Sequence, residues 1–290
     1  MISGDRTKRA IGLRILSGIF ISGMYICVKA VGEEVPVGEI VFFRSTFAIL
    51  PIIIFLWLRS EFPKGMATER PMGHFIRASF GVMALFASFA SIARLNVAEF
   101  MLIAQLSPIL MAIAAVALLR ERLTLWRVAG LFFGFTGVIV MVWPELYVSQ
   151  TEDMRLFGFG LALLSAVLSA LALVMVRSLN TTESPGAIAL YFVLASTLGA
   201  LFTIPFGWLI PSGLTLLLLI GAGFFGGFAH IFMTLAFRYA EASRLAPFEY
   251  IALLWLILAD LLIFSLPLSP NFLLALPLTL LGVLVAVRER

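Results

Sequence analysis

Charged residues are scarce in this chain of 290 residues. Asp, Glu, Lys and Arg together make up 12% of the sequence, about half of their usual share in soluble domains. Hydrophobic residues make up 62%, and the mean hydropathy is +1.09. A soluble protein of this length needs a polar surface around its core, whereas here the polar residues fall in short segments between long apolar runs. The composition therefore predicts an all-α integral membrane protein.

Cysteine and histidine are also nearly absent, with one Cys and two His residues. The single Cys27 excludes a disulfide within the chain, and two histidines argue against a Cys/His metal site. The sequence has no Walker motif, so ATP hydrolysis by this chain is not expected. We therefore predict no metal, no cofactor and no catalytic residue, and we do not expect an enzyme.

Ten apolar segments are long enough, at about 20 residues, to cross a bilayer as helices. Short connections separate them, and most of these contain Pro, Gly, Ser or Asn, which end helices. The last segment is short, and prolines lie before and within it. The predicted spans are 10–31, 38–58, 73–93, 97–119, 126–143, 156–178, 186–208, 214–237, 243–264 and 272–287.

Lys and Arg residues are concentrated on alternate connections. Because positive charges near span ends are retained on the cytoplasmic side, this pattern predicts that both termini are cytoplasmic. The basic residues form no continuous stripe, so no nucleic-acid partner is expected despite a net charge of +4. The residues assigned to the cytoplasmic side are Arg6, Lys8, Arg9, Arg14, Arg59, Lys64, Arg70, Arg77, Arg120, Arg122, Arg127, Arg177, Arg238, Arg244, Arg288 and Arg290.

Three sequence correspondences in the same order indicate an internal duplication. The matched segments are 16–18 with 164–166, 94–98 with 238–242, and 137–142 with 282–287, which align Ser17 with Ser165 and Gly137 with Gly282. The predicted repeats are residues 1–145 and 146–290. Five spans per repeat is an odd number, so the second repeat enters the membrane from the opposite side. Two inverted five-helix repeats are typical of secondary transporters, which bind substrate near the bilayer midplane.

Three segments resemble a known family: the Phe42-Phe43-Arg44 segment, the hairpin 120–124 after Pro108, and the segment 238–250. They are similar to the drug/metabolite transporter superfamily of the EamA type, over nearly the whole chain. The resemblance implies ten helices in two inverted halves, and export or sometimes import of small metabolites across the bacterial inner membrane. The layout is similar to that of YddG-type exporters of aromatic amino acids. Related members carry other amino acids, nucleotide-like metabolites or cations.

The sequence departs from this family pattern in the second repeat. The segment 264–267 stands where many relatives have an acidic residue, so only Glu121 of the first repeat keeps that acid. The resemblance therefore implies this acid in the first repeat alone.

Ionisable residues inside the spans are candidates for a substrate site, because a charge at the bilayer centre costs at least about 2.5 kcal/mol. Arg44 is placed to bind a substrate carboxylate as a bidentate fork; the alternative is a structural pair between helices. Gln105 and Glu249 align across the repeats and are predicted to line a shared cavity, or alternatively to fix helix packing. Glu249 is also a candidate proton site. His230 is a candidate cavity donor or proton relay, with an interhelical hydrogen bond as the alternative.

Aromatic residues and prolines inside the spans complete the candidates. An aromatic-lined pocket is one reading of the rings, and ordinary helix packing is the other. Pro108 and Pro247 interrupt spans and are predicted hinges, unless Pro247 merely begins its helix. Glu39, Glu99 and Asp260 lie close to outer helix ends and are expected to be solvated or interfacial. The aromatic candidates are Tyr25, Phe43, Phe80, Tyr191, Tyr250 and Trp255.

Small residues four apart, Gly130 with Gly134 and Gly223 with Gly227, are predicted to let helix backbones approach closely. The sequence as a whole predicts a secondary transporter that exports small amphipathic metabolites, with aromatic amino acids favoured, by alternating access. Its predicted partners are a small-molecule substrate and the lipid bilayer, and a functional monomer is expected. One alternative is an importer or exchanger of nucleotide-like metabolites or organic cations. The alternative from another class is an integral-membrane enzyme that acts on a lipid substrate.

Overall fold

The computed structural model describes residues 2–32, 35–107, 109–111, 113–114, 125–143, 153–211, 213–239, 248 and 250–287. These residues form α-helices joined by short turns, and no strand is found among them. The helices are α1 (Ile2–Val31), α2 (Val37–Leu58), α3 (Pro71–Ile92), α4 (Val97–Ala104), α5 (Leu125–Val142), α6 (Asp153–Leu179), α7 (Pro185–Leu201), α8 (Gly213–Tyr239), α9 (Tyr250–Leu262) and α10 (Pro270–Val287).

Five of these helices are long and apolar enough to cross a membrane, namely α1, α2, α3, α6 and α8. The remaining described helices are also apolar but shorter. Each helix overlaps one of the predicted spans. The described part of the chain is therefore all-helical, with several helices suited to a multi-pass membrane protein.

Helix α7 is shorter than the span 186–208 predicted for it. It begins where Ser184 Oγ accepts a hydrogen bond from the Ala187 N–H at 3.0 Å, and it ends at Leu201. A 3₁₀ turn, Ile204–Phe206, follows and contains Pro205, which has no N–H to continue the helix. Gly207 then adopts a left-handed conformation with φ 89°, which glycine tolerates because it has no Cβ. Local backbone chemistry, rather than loss of hydrophobicity, ends this helix.

The chain divides into two compact units. The first contains residues 1–82 and 175–255, and the second contains residues 83–174 and 256–290. The division falls within α3, α6 and α9, so each of these helices contributes to both units. Each unit therefore combines segments from both predicted repeats.

In the first unit, α8 packs against α1 and α2, and α2 also packs against α7. Gly223 and Gly227 of α8 face Phe47 and Pro51 of α2 so closely that a Cβ on either glycine would clash. The prediction that these glycines allow close helix approach is confirmed. Backbones that approach this closely gain dispersion contacts, which drive helix association where lipid surrounds the protein.

In the second unit, α5 crosses α10 through glycines on both helices. A Cβ on Gly282 would lie 2.5 Å from the Gly134 nitrogen and 2.7 Å from the Gly130 carbonyl oxygen. A Cβ on Gly137 would in turn lie 3.0 Å from the Ala275 carbonyl oxygen. The contact is reciprocal, since the two aligned glycines Gly137 and Gly282 each face the other helix.

The aligned serines Ser17 and Ser165 make equivalent hydrogen bonds in the two units. In the first unit, Ser17 Oγ donates to the Ala229 carbonyl at 2.9 Å and joins α1 to α8. In the second unit, Ser165 Oγ donates to the Ala84 carbonyl at 3.1 Å and joins α6 to α3. A hydroxyl away from water needs such an acceptor, and each bond therefore fixes the rotation of one helix against its neighbour.

Candidate functional site

Arg44 is a buried cation on α2. Only 1% of its surface is exposed. Its Nε donates to the Met24 sulfur at 3.4 Å, which is a weak acceptor, and its Nη1 has no hydrogen-bond partner among the described residues. Gly226 of α8 lies against the guanidinium, since a Cβ there would be 3.0 Å from Arg44 Nε. Within the described part of the chain, no oxygen acceptor binds Nε or Nη1 of this group.

Arg77 is a second buried cation in the same unit, on α3, with 7% of its surface exposed. Its guanidinium carbon lies 3.9 Å from the centroid of the Phe192 ring on α7. Neither Nε nor Nη1 of Arg77 has a hydrogen-bond partner among the described residues. Gly81, one turn along α3, makes room for this arrangement, because a Cβ there would meet both Arg77 Nη1 at 3.0 Å and the Phe192 ring at 2.8 Å.

Phe192 connects the two arginines. Its ring centroid lies 5.8 Å from the Arg44 guanidinium carbon and 5.5 Å from the centroid of the His230 ring on α8, which meets it edge to face. We call Arg44, Arg77, Phe192 and His230 the arginine cluster. Each member lies at least six residues from the nearer end of its helix, about 9 Å at 1.5 Å per residue. The cluster therefore lies within the apolar part of the helices.

The two buried arginines give the arginine cluster a concentrated positive charge. Arg44, Arg77 and His230 lie within electrostatic range of one another. No acidic side chain of the described chain forms an ion pair with either arginine. A buried cation–π contact contributes about 2 kcal/mol, whereas burying an ion costs several kcal/mol. The Phe192 ring alone does not offset the cost of burying the two guanidinium groups. The arrangement is therefore suited to binding an anion.

The structure brings only some of the predicted site residues to the arginine cluster. Arg44 and His230 belong to it. Phe43 instead lies in a row of rings on α2, 5.4 Å from Phe42 and 6.3 Å from Phe47 between centroids. Phe80 is half-buried on α3.

Tyr191 is also away from the cluster, although it is next to Phe192 in sequence. Its hydroxyl donates to the Met66 carbonyl at 3.1 Å, and its ring centroid lies 4.5 Å from that of His74. Since adjacent residues of a helix point in different directions, Phe192 faces the arginines while Tyr191 holds the connection between α2 and α3.

Gln105 belongs to the second unit. It is the residue that ends α4, it is 3% exposed, and its Nε2 has no hydrogen-bond partner among the described residues. A buried amide without a partner is available to a ligand, which agrees with the predicted cavity-lining role but does not test it.

Three of the predicted site residues, Glu249, Pro108 and Pro247, lie outside the described residues. Tyr250 begins α9, and its side chain is likewise outside the description. Their predicted roles stay predictions.

The acidic residues near the outer helix ends are buried, which corrects the expectation that they are solvated. Asp260 accepts hydrogen bonds from the Val97 and Ala98 N–H groups at 3.3 and 2.7 Å. Glu99 accepts from the Asn96 N–H and pairs with Arg155 at 3.1 Å. These carboxylates satisfy the first N–H groups of α4, which have no acceptor within the helix.

Glu39 is buried in the same way, with no exposed surface. Its Oε2 accepts from the Leu209 N–H at 2.9 Å. This hydrogen bond ties the start of α2 to the connection after α7. The three acids therefore have structural partners that a sequence pattern does not reveal.

Sequence reasoning missed Arg77 and Phe192. Arg77 was counted among the cytoplasmic charges, yet it lies as deep in α3 as Arg44 lies in α2. The signal was present, because an arginine six residues inside an apolar run carries the same cost in either helix. Phe192 had no such signal among 27 phenylalanines.

Comparisons with known proteins bear on the family and the fold. The EamA-like transporter family matches residues 8–143. The pseudopaline exporter CntI of Pseudomonas aeruginosa strain UCBPP-PA14 is 31% identical over 260 residues, which cover 87% of this chain and 86% of that protein. A riboflavin transporter of Rhizobium johnstonii is 28% identical, with 87% and 82% covered. An S-adenosylmethionine uptake transporter of Rickettsia felis is 27% identical, with 88% and 84% covered.

One solved crystal structure of a protein shares the fold, with a TM-score of 0.69, 21% sequence identity and 96% of both chains covered. The similarity to the transporters extends over most of the chain, and the identity to CntI exceeds 30%. The chain therefore belongs to the EamA-like transporters of the drug/metabolite transporter superfamily.

Proposed function

We propose that this transporter exports small amphipathic metabolites that carry a carboxylate, with aromatic amino acids as the first substrates to test, across the bacterial inner membrane. The observation that carries the proposal is the buried guanidinium of Arg44, whose Nη1 has no partner among the described residues and which lies near the Phe192 ring. A guanidinium binds a carboxylate through two parallel hydrogen bonds. Rings nearby offer an apolar surface for the rest of the substrate.

Alternating access is inferred from an inverted duplication of residues 1–145 and 146–290 across ten spans, with both termini cytoplasmic. Two observations support the duplication. The aligned serines Ser17 and Ser165 make equivalent helix-to-helix hydrogen bonds, and the aligned glycines Gly137 and Gly282 make a reciprocal contact. Halves of this kind exchange conformations, so that one site is accessible from each side of the membrane in turn.

The alternative substrate classes are nucleotide-like metabolites and organic cations. The names of the riboflavin and S-adenosylmethionine transporters keep the first class in consideration. Arg44 and Arg77 disfavour an organic cation, because like charges repel strongly where water is excluded.

Export is proposed from the resemblance to aromatic amino acid exporters, and the pseudopaline exporter among the relatives supports it. The family and its relatives are transporters, so an enzyme acting on lipid is not favoured.

The test is flux in liposomes that contain the purified full chain. Liposomes are loaded with unlabelled L-phenylalanine, and entry of radiolabelled L-phenylalanine is measured with and without a pH gradient. Replacing Arg44 by Gln removes the charged guanidinium and is expected to lower the exchange rate about tenfold or more. A loss of this size corresponds to the free energy of one charge-assisted hydrogen bond. The matched control is Arg59→Gln, because Arg59 pairs with Glu61 at the surface.

Wild-type flux in Arg44→Gln, or no flux of any amino acid in the wild type, would overturn the amino-acid proposal. Flux that depends on the pH gradient and loses this dependence in Glu249→Gln would identify Glu249 as the proton site.

We infer that the chain functions as a monomer, since ten helices suffice to enclose a pathway. Reconstitution at less than one chain per liposome is expected to preserve the flux per chain. A flux per chain that rises with protein density would show that an oligomer is required.

A further inference from the structure

We propose that the arginine cluster binds a doubly anionic substrate, with one negative group at Arg44 and the other at Arg77. This inference rests on the proposed transport function and narrows its substrate class. The preferred metabolite is then an amino-acid derivative or similar small molecule with two acidic groups, rather than a monocarboxylate.

The spacing of the two guanidinium groups supports a single ligand. Both lie against the same ring, at 5.8 and 3.9 Å from the Phe192 centroid, so their carbons are at most about 10 Å apart. That span suits one small molecule with two carboxylates on neighbouring carbons or a few bonds apart. Two positive charges this close in an apolar environment repel each other, and an anion between them relieves the repulsion.

Unpartnered donors on both arginines support two acidic groups. Arg44 has a free Nη1, and Arg77 has a free Nε and Nη1, within the described part of the chain. A carboxylate at Arg44 alone would leave the Arg77 donors buried without an acceptor, which is costly. Gly226 and Gly81 adjoin the respective guanidinium groups, where any larger residue would place a Cβ against a donor nitrogen.

Three other arginines of the described chain differ from the cluster arginines in having oxygen acceptors, although Arg94 also has an unpartnered Nε. Arg70 Nη1 donates to the Ser178 carbonyl at 2.9 Å, Arg94 Nη1 donates to the Ala90 carbonyl at 2.6 Å, and Arg155 pairs with Glu99. Each of these has an oxygen acceptor from the protein. Among the described residues, by contrast, the Arg44 guanidinium contacts the Met24 sulfur and the Phe192 ring and lies within electrostatic range of Tyr25. Arg77 contacts the Phe192 ring, and its Nε and Nη1 have no hydrogen-bond partner in the same part of the chain.

The experiment compares two ligands that share a phenyl ring and differ by one carboxylate. Binding of phenylsuccinate and of 3-phenylpropionate to the purified full chain in detergent is measured by calorimetry at pH 7.5. Phenyl phosphate forms a third arm and distinguishes a phosphate from a dicarboxylate as the source of the double charge. The wild type is expected to bind phenylsuccinate about tenfold or more tightly than 3-phenylpropionate. Tighter binding of phenyl phosphate than of phenylsuccinate would show that both charges belong to one group and would overturn the inference.

Replacing Arg77 by Gln is expected to abolish this preference while leaving the affinity for 3-phenylpropionate within about threefold. Arg59→Gln serves as the matched control and is expected to change neither affinity. Equal binding of all three ligands by the wild type would overturn the inference without any variant. Equal loss of all three ligands in a folded Arg77→Gln protein would also overturn it.

Failure of this inference is distinguishable from failure of the proposed function. Amino-acid flux in liposomes without a preference for the dianion overturns only the inference. Tight binding of the dianion without flux of any substrate overturns only the proposed transport.

Discussion

At the scale of single residues, Arg44 and Phe192 occupy corresponding positions of the inferred duplication. They are 148 residues apart, as are the aligned serines Ser17 and Ser165 and the glycines Gly38 and Gly186. Under the inferred duplication, the first repeat contributes a guanidinium and the second contributes a ring at the same position. The two positions differ in chemistry and give the arginine cluster a charged part and an apolar part.

Phe192→Leu tests the ring at nearly constant hydrophobicity. Leucine lacks the negative ring face that both arginines contact, so we expect the free energy of unfolding to fall by about 2 kcal/mol. The measurement is thermal or denaturant unfolding of the purified protein in detergent. Phe132→Leu is the control, because Phe132 is 68% exposed on α5 and contacts neither arginine. Equal losses in the two variants would show that the ring contributes only apolar contact.

At the scale of helices, close glycine contacts decide which elements pack directly. The α5–α10 crossing brings the Gly282 Cα against the α5 backbone, where no side chain moves aside to admit a Cβ. Gly160 on α6 provides the contrast, since a Cβ there would have no atom within 4 Å. Glycine has a packing function at the first position and none visible at the second.

Gly282→Ala is expected to lower the free energy of unfolding by about 1–3 kcal/mol, the usual cost of overpacking. Gly160→Ala is expected to be neutral or to stabilise by up to about 1 kcal/mol, because alanine favours the helix. The measurement is the free energy of unfolding of both variants and of the wild type in the same detergent. A Gly282→Ala protein as stable as Gly160→Ala would contradict the close crossing of α5 and α10.

In the connection before α7, the Glu183 carboxylate accepts hydrogen bonds from the connection that follows α2. Glu183 Oε1 accepts from the Glu69 and Arg70 N–H groups and from the Thr68 hydroxyl, and Oε2 lies 3.4 Å from His74 Nε2. Burial alone would raise the pKa of the Glu183 carboxyl, but these hydrogen bonds and the nearby His74 together hold that pKa below its ordinary value of 4.5.

This lowered pKa predicts a stability that depends on pH. The folded state binds fewer protons at Glu183 than the unfolded state, so the contribution is complete above pH 4.5 and is lost as the pH falls through the lower folded-state value. Glu183→Gln is expected to be less stable than the wild type at pH 7, and the difference is expected to shrink below about pH 4. Unfolding at both pH values checks this. A stability difference between Glu183→Gln and the wild type that does not change with pH would contradict this prediction. An equal difference for the control Glu61→Gln would contradict it as well.

At the scale of the whole molecule, the proposed orientation assigns each connection to one side of the membrane. The connection that contains Glu61 is predicted to be cytoplasmic, and the connection that contains Phe206 is predicted to face outward. Phe206 is 81% exposed and lies in the 3₁₀ turn after α7. The native Cys27 is buried and is removed by Cys27→Ser to leave a clean background.

Labelling with a membrane-impermeant maleimide in intact bacterial cells tests this orientation. Phe206→Cys is expected to react in intact cells, whereas Glu61→Cys is expected to react only after the membrane is permeabilised. The opposite pattern would invert the proposed topology. Reaction of both residues in intact cells would contradict the number of spans between them.

The sequence by itself determined the membrane class, the approximate position of each described helix, the family, and the glycines that let helices approach. These features depend on composition, on local backbone chemistry and on apolar runs of about 20 residues, all of which are legible along the chain. Arg44 and His230 were also found in this way, because a polar residue inside an apolar span is conspicuous.

Only the tertiary structure decided which of these residues meet. It joined Arg77 to Arg44 through Phe192, directed the Tyr191 hydroxyl to Met66, and placed Asp260 on the first N–H groups of α4. Helices in a membrane are apolar on nearly all sides, so their hydrophobic pattern does not specify which face meets which neighbour. Rotation and register come from close packing and a few hydrogen bonds between distant segments, and those contacts exist only in the folded chain.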